Sequence, residues 1–153
     1  MRRCGRDSTV PKINVRRLRK EDARALARID AAITKIPSRL DFERIVGKEI
    51  EQESDASFVA LINRKVVGFM ISYITSGNFG ADQCAWIAMF GVDPKYMGQG
   101  IGIRLAEEIF QYYKEKGIVK IYTSVRWDST DILSFFKTLG FERSDFINLR
   151  KIL

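Results

Sequence analysis

The stretch that most constrains this chain is 84–105, where an apolar run, a glycine cluster and a helical repeat follow one another. Cys84-Ala-Trp-Ile-Ala-Met-Phe90 has no polar alternation, the pattern of a strand covered on both faces. Ile101, Leu105 and Ile109 then recur every four residues, which is helix spacing. Pro94 and three glycines, Gly98, Gly100 and Gly102, separate the two. A glycine-rich turn opening a helix leaves N–H groups unpaired at the positive end of the helix dipole. It is therefore ready to hold an anion, most often a phosphate. The spacing is not that of the common phosphate loops. No Gly-Lys-Ser/Thr follows, and the glycines run G-x-G-x-G rather than G-x-G-x-x-G.

What surrounds this stretch narrows the chemistry. With 153 residues, 46% of them apolar, the chain is expected to form one domain with a full core. No run reaches the roughly 18–20 apolar residues of a membrane span, and the charged N-terminus lacks the apolar centre of a signal peptide. A cytoplasmic location is expected. Histidine is absent, which removes Ser-His-Asp and Cys-His units, imidazole bases and the H-E-x-x-H zinc site. Two cysteines, Cys4 and Cys84, make no disulfide framework, and Cys84 reads as a small core residue. The net charge of +7 favours anionic partners. Few aromatics sit among the early arginines and lysines, which argues against nucleic acid.

Taken in order, residues 1–11 read as a flexible basic extension, with a single domain from 12 to 153. Ile13 to Leu18 is a short strand. A helix opens at Glu21-Asp22, with Ala23, Leu26, Ile29 and Ile33 on one face. After Pro37 a second helix begins near Asp41, burying Phe42, Ile45, Val46 and Ile50, and ends in the acids Glu49, Glu51, Glu53 and Asp55. Ser57–Ile62 and Val66–Ile74 are strands joined by Asn63-Arg64-Lys65, and Gly68 marks a bulge or close approach. A loop over Thr75–Gln83 precedes the strand, glycine turn and helix described above, and that helix stops near Lys116. Ile118–Val125 is another strand. Asp128 or Ser129 caps a last helix with Ile132, Phe135, Phe136 and Leu139 on one face. Phe141–Arg143 and Phe146–Ile152 close the chain as two short strands. The order β-α-α-β-β-β-α-β-α-β-β is an α/β mixture.

Val92-Asp93-Pro94 followed by Met97-Gly98-Gln99-Gly100-Ile101-Gly102 resembles motif A of the GNAT N-acetyltransferase superfamily, with Met97 where Arg or Gln is usual. Ser134-Phe-Phe-Lys-Thr-Leu-Gly-Phe-Glu142 resembles the end of its motif B, and the element order agrees over about residues 12–153. The resemblance implies a mixed central sheet flanked by about four helices, with two strands splayed apart where acetyl-CoA enters. It implies transfer of an acetyl group from acetyl-CoA to a primary amine by direct attack, without a metal. The alternative is a catalytically silent domain that binds acyl-CoA.

The resemblance also distributes roles. Phe90, Gly91 and Val92 would meet the pantetheine arm, and the Val92 N–H would face the thioester carbonyl. Gly98, Gln99, Gly100, Ile101, Gly102 and Ile103 would supply amides to the pyrophosphate. Ser129 and Phe136 stand where the family has an Asn and a Tyr beside the cofactor. The Glu frequent on the motif A strand is replaced by Ala88 or Trp86. Tyr73, Asp128, Glu49 and Glu53 remain as candidates for handling the proton. The acceptor and the oligomeric state, including a homodimer, are left open; no membrane partner is expected.

Overall fold

The computed structural model describes residues 11–52, 56–76 and 82–153. Residues 1–10 of the basic extension, Glu53, Asp55 and most of the Thr75–Gln83 loop lie outside them. Five strands form one sheet in sequence order: β1 (Asn14–Arg17), β2 (Phe58–Ile62), β3 (Lys65–Thr75), β4 (Cys84–Val92) and β5 (Ile121–Thr123). The first four pair antiparallel, and β5 runs parallel to β4. Asn63 and Arg64 both take positive φ, the two-residue turn that matches strand twist, so Lys65 belongs to β3 rather than to the connection. Gly68 does mark a close approach, since a Cβ there would stand 2.8 Å from Ile101 Cγ2. The β2–β3 register also shifts beside its partner Ala60.

Alternation along the strands divides the core in two. Phe58, Ala60, Ile62 and Met70 face α3 (Ile101–Glu115) and α4 (Thr130–Thr138), and Leu105, Ile109, Tyr113 and Phe136 bury against that side. Val59, Phe69 and Ile71 face the other way, under Leu26 and Ile29 of α1 (Ala23–Thr34) and Phe42 and Val46 of α2 (Phe42–Glu51). This is a sheet covered by helices on both faces. On the α3 side the Tyr113 hydroxyl, fully buried, accepts from Ala56 N–H at 3.2 Å and meets Ser72 Oγ at 2.8 Å. Ser72 Oγ also donates to Ala56 O. These bonds satisfy groups that would otherwise be orphaned in the core.

Several boundaries differ from the sequence expectation. The first helix is preceded by a 3-10 turn at Lys20–Asp22, and Asp22, the N-cap residue of α1, makes no side-chain cap bond to that helix. Its carboxylate accepts from Arg16 Nη1 at 2.8 Å, Arg16 Nη2 at 2.9 Å and Arg19 N–H at 2.8 Å, tying β1 to α1. Ile33 and Ile50, expected in the core, lie at helix ends and are exposed. Asp41 caps α2 by accepting from Arg44 N–H. The strand expected at Ile118–Val125 shortens to three residues. The two closing strands at Phe141–Arg143 and Phe146–Ile152 are not formed; that segment is irregular, and Phe146, Ile147 and Leu149 are exposed.

Candidate active site

The site is built on a strand that outruns its neighbour. β5 pairs with β4 only at Ala85, Trp86 and Ile87, and Thr123 Oγ1 closes this vertex by donating to Ile87 O at 3.0 Å. β4 then continues through Ala88–Val92 with no strand on that side. Asp93 N–H reaches Val67 O on the β3 side at 2.8 Å. Strand alternation therefore turns the N–H groups of Phe90 and Val92 the other way, into the gap. Ala88 sets this parity. Ile71 pairs with Met89 and Ser72 with Ile87, so Ala88 is an extra residue, a β-bulge. Without it, Met89 and Gly91 would face the gap instead.

Beyond Val92 the chain makes a 3-10 turn at Pro94–Tyr96, capped by Asp93 Oδ1 accepting from Lys95 N–H at 3.0 Å. Gly98 and Gly100 both take φ +78°, where an L side chain is strained, and Gly100 is the N-cap of α3. The first hydrogen bond of α3 runs from Arg104 N–H to Gly100 O at 3.0 Å, so the N–H groups of Ile101, Gly102 and Ile103 have no partner within the helix. Gly102 has a different reason to be glycine. A Cβ there would stand 2.9 Å from Phe135 Cε2 and 3.0 Å from Phe90 Cζ, two rings stacked at 4.8 Å and nearly parallel. The packing of α4 on β4 therefore requires Gly102, independently of any ligand. Beside the loop, a cleft of about 720 Å³ runs to the start of β1, lined by Lys12, Asn14, Gln99, Gly100, Ile103 and Arg104. Its two cations suit an anion.

The other expected residues separate into near and far. Phe136 is buried, its ring edge-on to Phe90 at 6.3 Å and to Phe141 at 5.0 Å, and it has no hydroxyl. Ser129 is the N-cap of α4, but its side chain makes no cap bond. Asp128 is not the cap. Arg126 donates to both its carboxylate oxygens, at 2.9 and 2.6 Å, and this bonding with the guanidinium charge holds the carboxyl below the usual carboxylate range. Glu49 Oε2 accepts from Ser57 Oγ at 3.2 Å. Tyr73 is partly exposed and stands opposite Trp86 in register. Met97 is exposed beside the loop.

Three contributors escaped sequence reasoning. The Ala88 bulge depends on the partner strand and leaves no local signal. Thr123 is an ordinary strand residue until its hydroxyl is seen at the vertex. Tyr122, stacked on Trp86 at 5.4 Å, could have been suspected only once β4 and β5 were known to be neighbours. Among the described residues, no group of three His, Cys, Asp or Glu could hold a metal, and no helix is long and apolar enough to cross a membrane.

Residues 18–141 match the model of the Acetyltransferase (GNAT) family. An uncharacterized N-acetyltransferase of Methanocaldococcus jannaschii is 31% identical over 103 residues, covering 64% of this chain and 44% of the relative. An N-alpha-acetyltransferase of Schizosaccharomyces pombe is 31% identical over 94 residues, covering 61% of this chain and 62% of the relative. The matches thus span less than two thirds of these relatives. A solved aminoglycoside N-acetyltransferase in complex with CoA superposes with a TM-score of 0.80 at 15% identity, covering 93% of this chain and 95% of that one, and supports the fold. The element order, the splayed β4 and β5 and the family match over residues 18–141 agree, and the chain belongs to the GNAT acetyltransferase family.

Proposed function

We propose that this chain transfers an acetyl group from acetyl-CoA to a primary amine. The observation that carries the reading is the one-sided gap along Ala88–Val92, leading from an anion-ready helix start to a closed vertex at Ile87 and Thr123. Main-chain groups left open in this way call for a partner with amides of its own, and a pantetheine arm has them. Bound acetyl-CoA supplies an activated acyl group on a leaving thiol. The amides of residues 101–103 would hold its phosphates, with Lys12 and Arg104 adding positive charge.

An extended pantetheine arm is about as long as four or five residues of strand, about 15 Å. With the phosphates at the loop, the acyl end falls towards Ala88. This favours the Phe90 N–H over the Val92 N–H as the donor to the thioester carbonyl, and leaves Val92 N–H for an amide of the arm. Phe136 excludes water but has no proton to give the thiolate. Asp128, held by Arg126, is a poor base, and Glu49 is engaged with Ser57. Tyr73 stands on the face opposite α3 and is the group we assign to orient the incoming amine.

The test is acetyl-CoA-dependent release of thiol on adding a panel of primary amines. Release that saturates with an amine, with the amide found by mass spectrometry, is expected. Tight acetyl-CoA binding with no release on any amine would instead favour the silent acyl-CoA-binding alternative, to which Phe136, Ala88 and Trp86 lend support.

A further inference from the structure

Trp86 lies at the vertex of the gap, and its ring stacks on Tyr122 across β5 at 5.4 Å with 26° between planes. Tyr73 is its cross-strand neighbour on β3, and such neighbours lie within side-chain reach. Beyond Tyr122, the Phe146 ring stands edge-on at 6.1 Å. Tyr73 follows Phe69 and Ile71 on the α1 and α2 face of the sheet, so this row occupies the face opposite α3 and α4. The α3 and α4 face is closed by Phe90, Phe135 and Phe136. An amine reaching an acyl group at the Ala88 end of the gap must therefore cross the aromatic row, where Tyr73 and Ala88 are exposed.

We propose that Tyr73, Trp86, Tyr122 and Phe146 form the acceptor subsite, and that it selects a singly charged primary amine carried on an aromatic body. This rests on the acetyl-transfer reading above. Ring faces attract an ammonium group and also bury flat apolar surface. None of the four is a carboxylate, and the acid nearest β5 in the chain, Asp128, is neutralised by Arg126. The four rings themselves offer a polycation no counter-charge, Asp145 beside Phe146 being the one acid next to them in sequence, and the chain carries a net charge of +7.

The test compares phenethylamine, a short peptide beginning with Phe, n-butylamine and spermidine as acceptors for the full chain. Acetyl-CoA affinity is measured first by calorimetry, so loss of the cofactor reading is seen separately. Either aryl-bearing acceptor should show kcat/KM at least about tenfold above butylamine and spermidine, and which of the two leads distinguishes a free amine from a peptide end. Trp86→Leu should erase most of that preference, mainly through KM, with acetyl-CoA affinity kept. Tyr73→Leu, at an exposed position, should move it in the same direction if Trp86→Leu fails to fold. If no amine turns over, calorimetry of phenethylamine with the CoA-saturated protein decides, since wild type should bind it and Trp86→Leu should bind it several-fold more weakly. Preference for spermidine or butylamine, preference unchanged in a folded Trp86→Leu or Tyr73→Leu variant, or no binding of phenethylamine would overturn the assignment.

Discussion

Asp22 shows how one side chain can change role between sequence and structure. As an acid near a helix start it is expected to answer the dipole, yet it is buried and fixed by Arg16 and Arg19. Burial alone would raise its pKa. The Arg16 fork, the Arg19 N–H and the two cations outweigh it and hold the carboxyl below the usual range. The sign follows from a depressed folded pKa: the stabilisation is complete above the unfolded value and is lost as pH falls through the folded one. Asp22→Asn should cost about 2 kcal/mol at pH 7, since charge-assisted bonds are lost at a partly exposed arginine. Urea curves should show the difference from wild type shrinking as pH drops from about 4 downwards. A constant difference down to pH 2.5 would mean that shape rather than charge holds the contact.

At the scale of elements, α3 and α4 are held against β4 by the Phe90–Phe135 stack, and Gly102 is where the three meet. Gly102→Ala should therefore destabilise the fold by about 1–3 kcal/mol despite alanine's better helix propensity. Replacing Phe135 by Leu in that background should restore part of the loss, and additive costs in a double-mutant cycle would contradict this packing account. Elements with a strong period were legible in the sequence: both core faces of α1 and α3, the β2–β3 hairpin, and β4 with its glycine turn. The weak ones were not. Phe141–Arg143 and Phe146–Ile152 have strand-like composition, but a strand needs a partner edge, and β5 offers three residues. The Ala88 bulge was illegible for the same reason, because it exists only in the pairing with β3. The turn at Gly98 and Gly100 could be read from the sequence because its geometry is local, whereas the packing reason for Gly102 could not, because Phe90 and Phe135 lie far from it in the chain.

For the molecule as a whole, what stands out is a GNAT fold in which Ala88, Trp86 and Phe136 stand where the family resemblance implies proton-handling side chains. Losing a base matters more than losing an acid. An amine of pKa near 10.4 must shed a proton at a cost of about 4 kcal/mol at pH 7.5, whereas a thiolate of pKa near 8.5 lies only about 1.4 kcal/mol from ambient. With saturating amine, kcat should rise with pH until the bound amine is neutral, without a falling limb below about pH 9. Phe136→Tyr would place a hydroxyl in a buried aromatic cluster and should gain less than about 1.4 kcal/mol in rate at neutral pH. A bell-shaped profile centred near pH 7 would show an organised acid and base that this account lacks. The central claim, that the loop at 98–103 and the β4 gap hold acetyl-CoA, is tested most directly by calorimetric titration of acetyl-CoA into wild type and Gly100→Asp. No described atom lies within 4 Å of a Cβ at Gly100, and Asp tolerates the left-handed backbone better than most residues, so the variant should fold. Its carboxylate would face the phosphates, and affinity should fall about a hundredfold or more. Unchanged affinity in the folded variant would contradict the account.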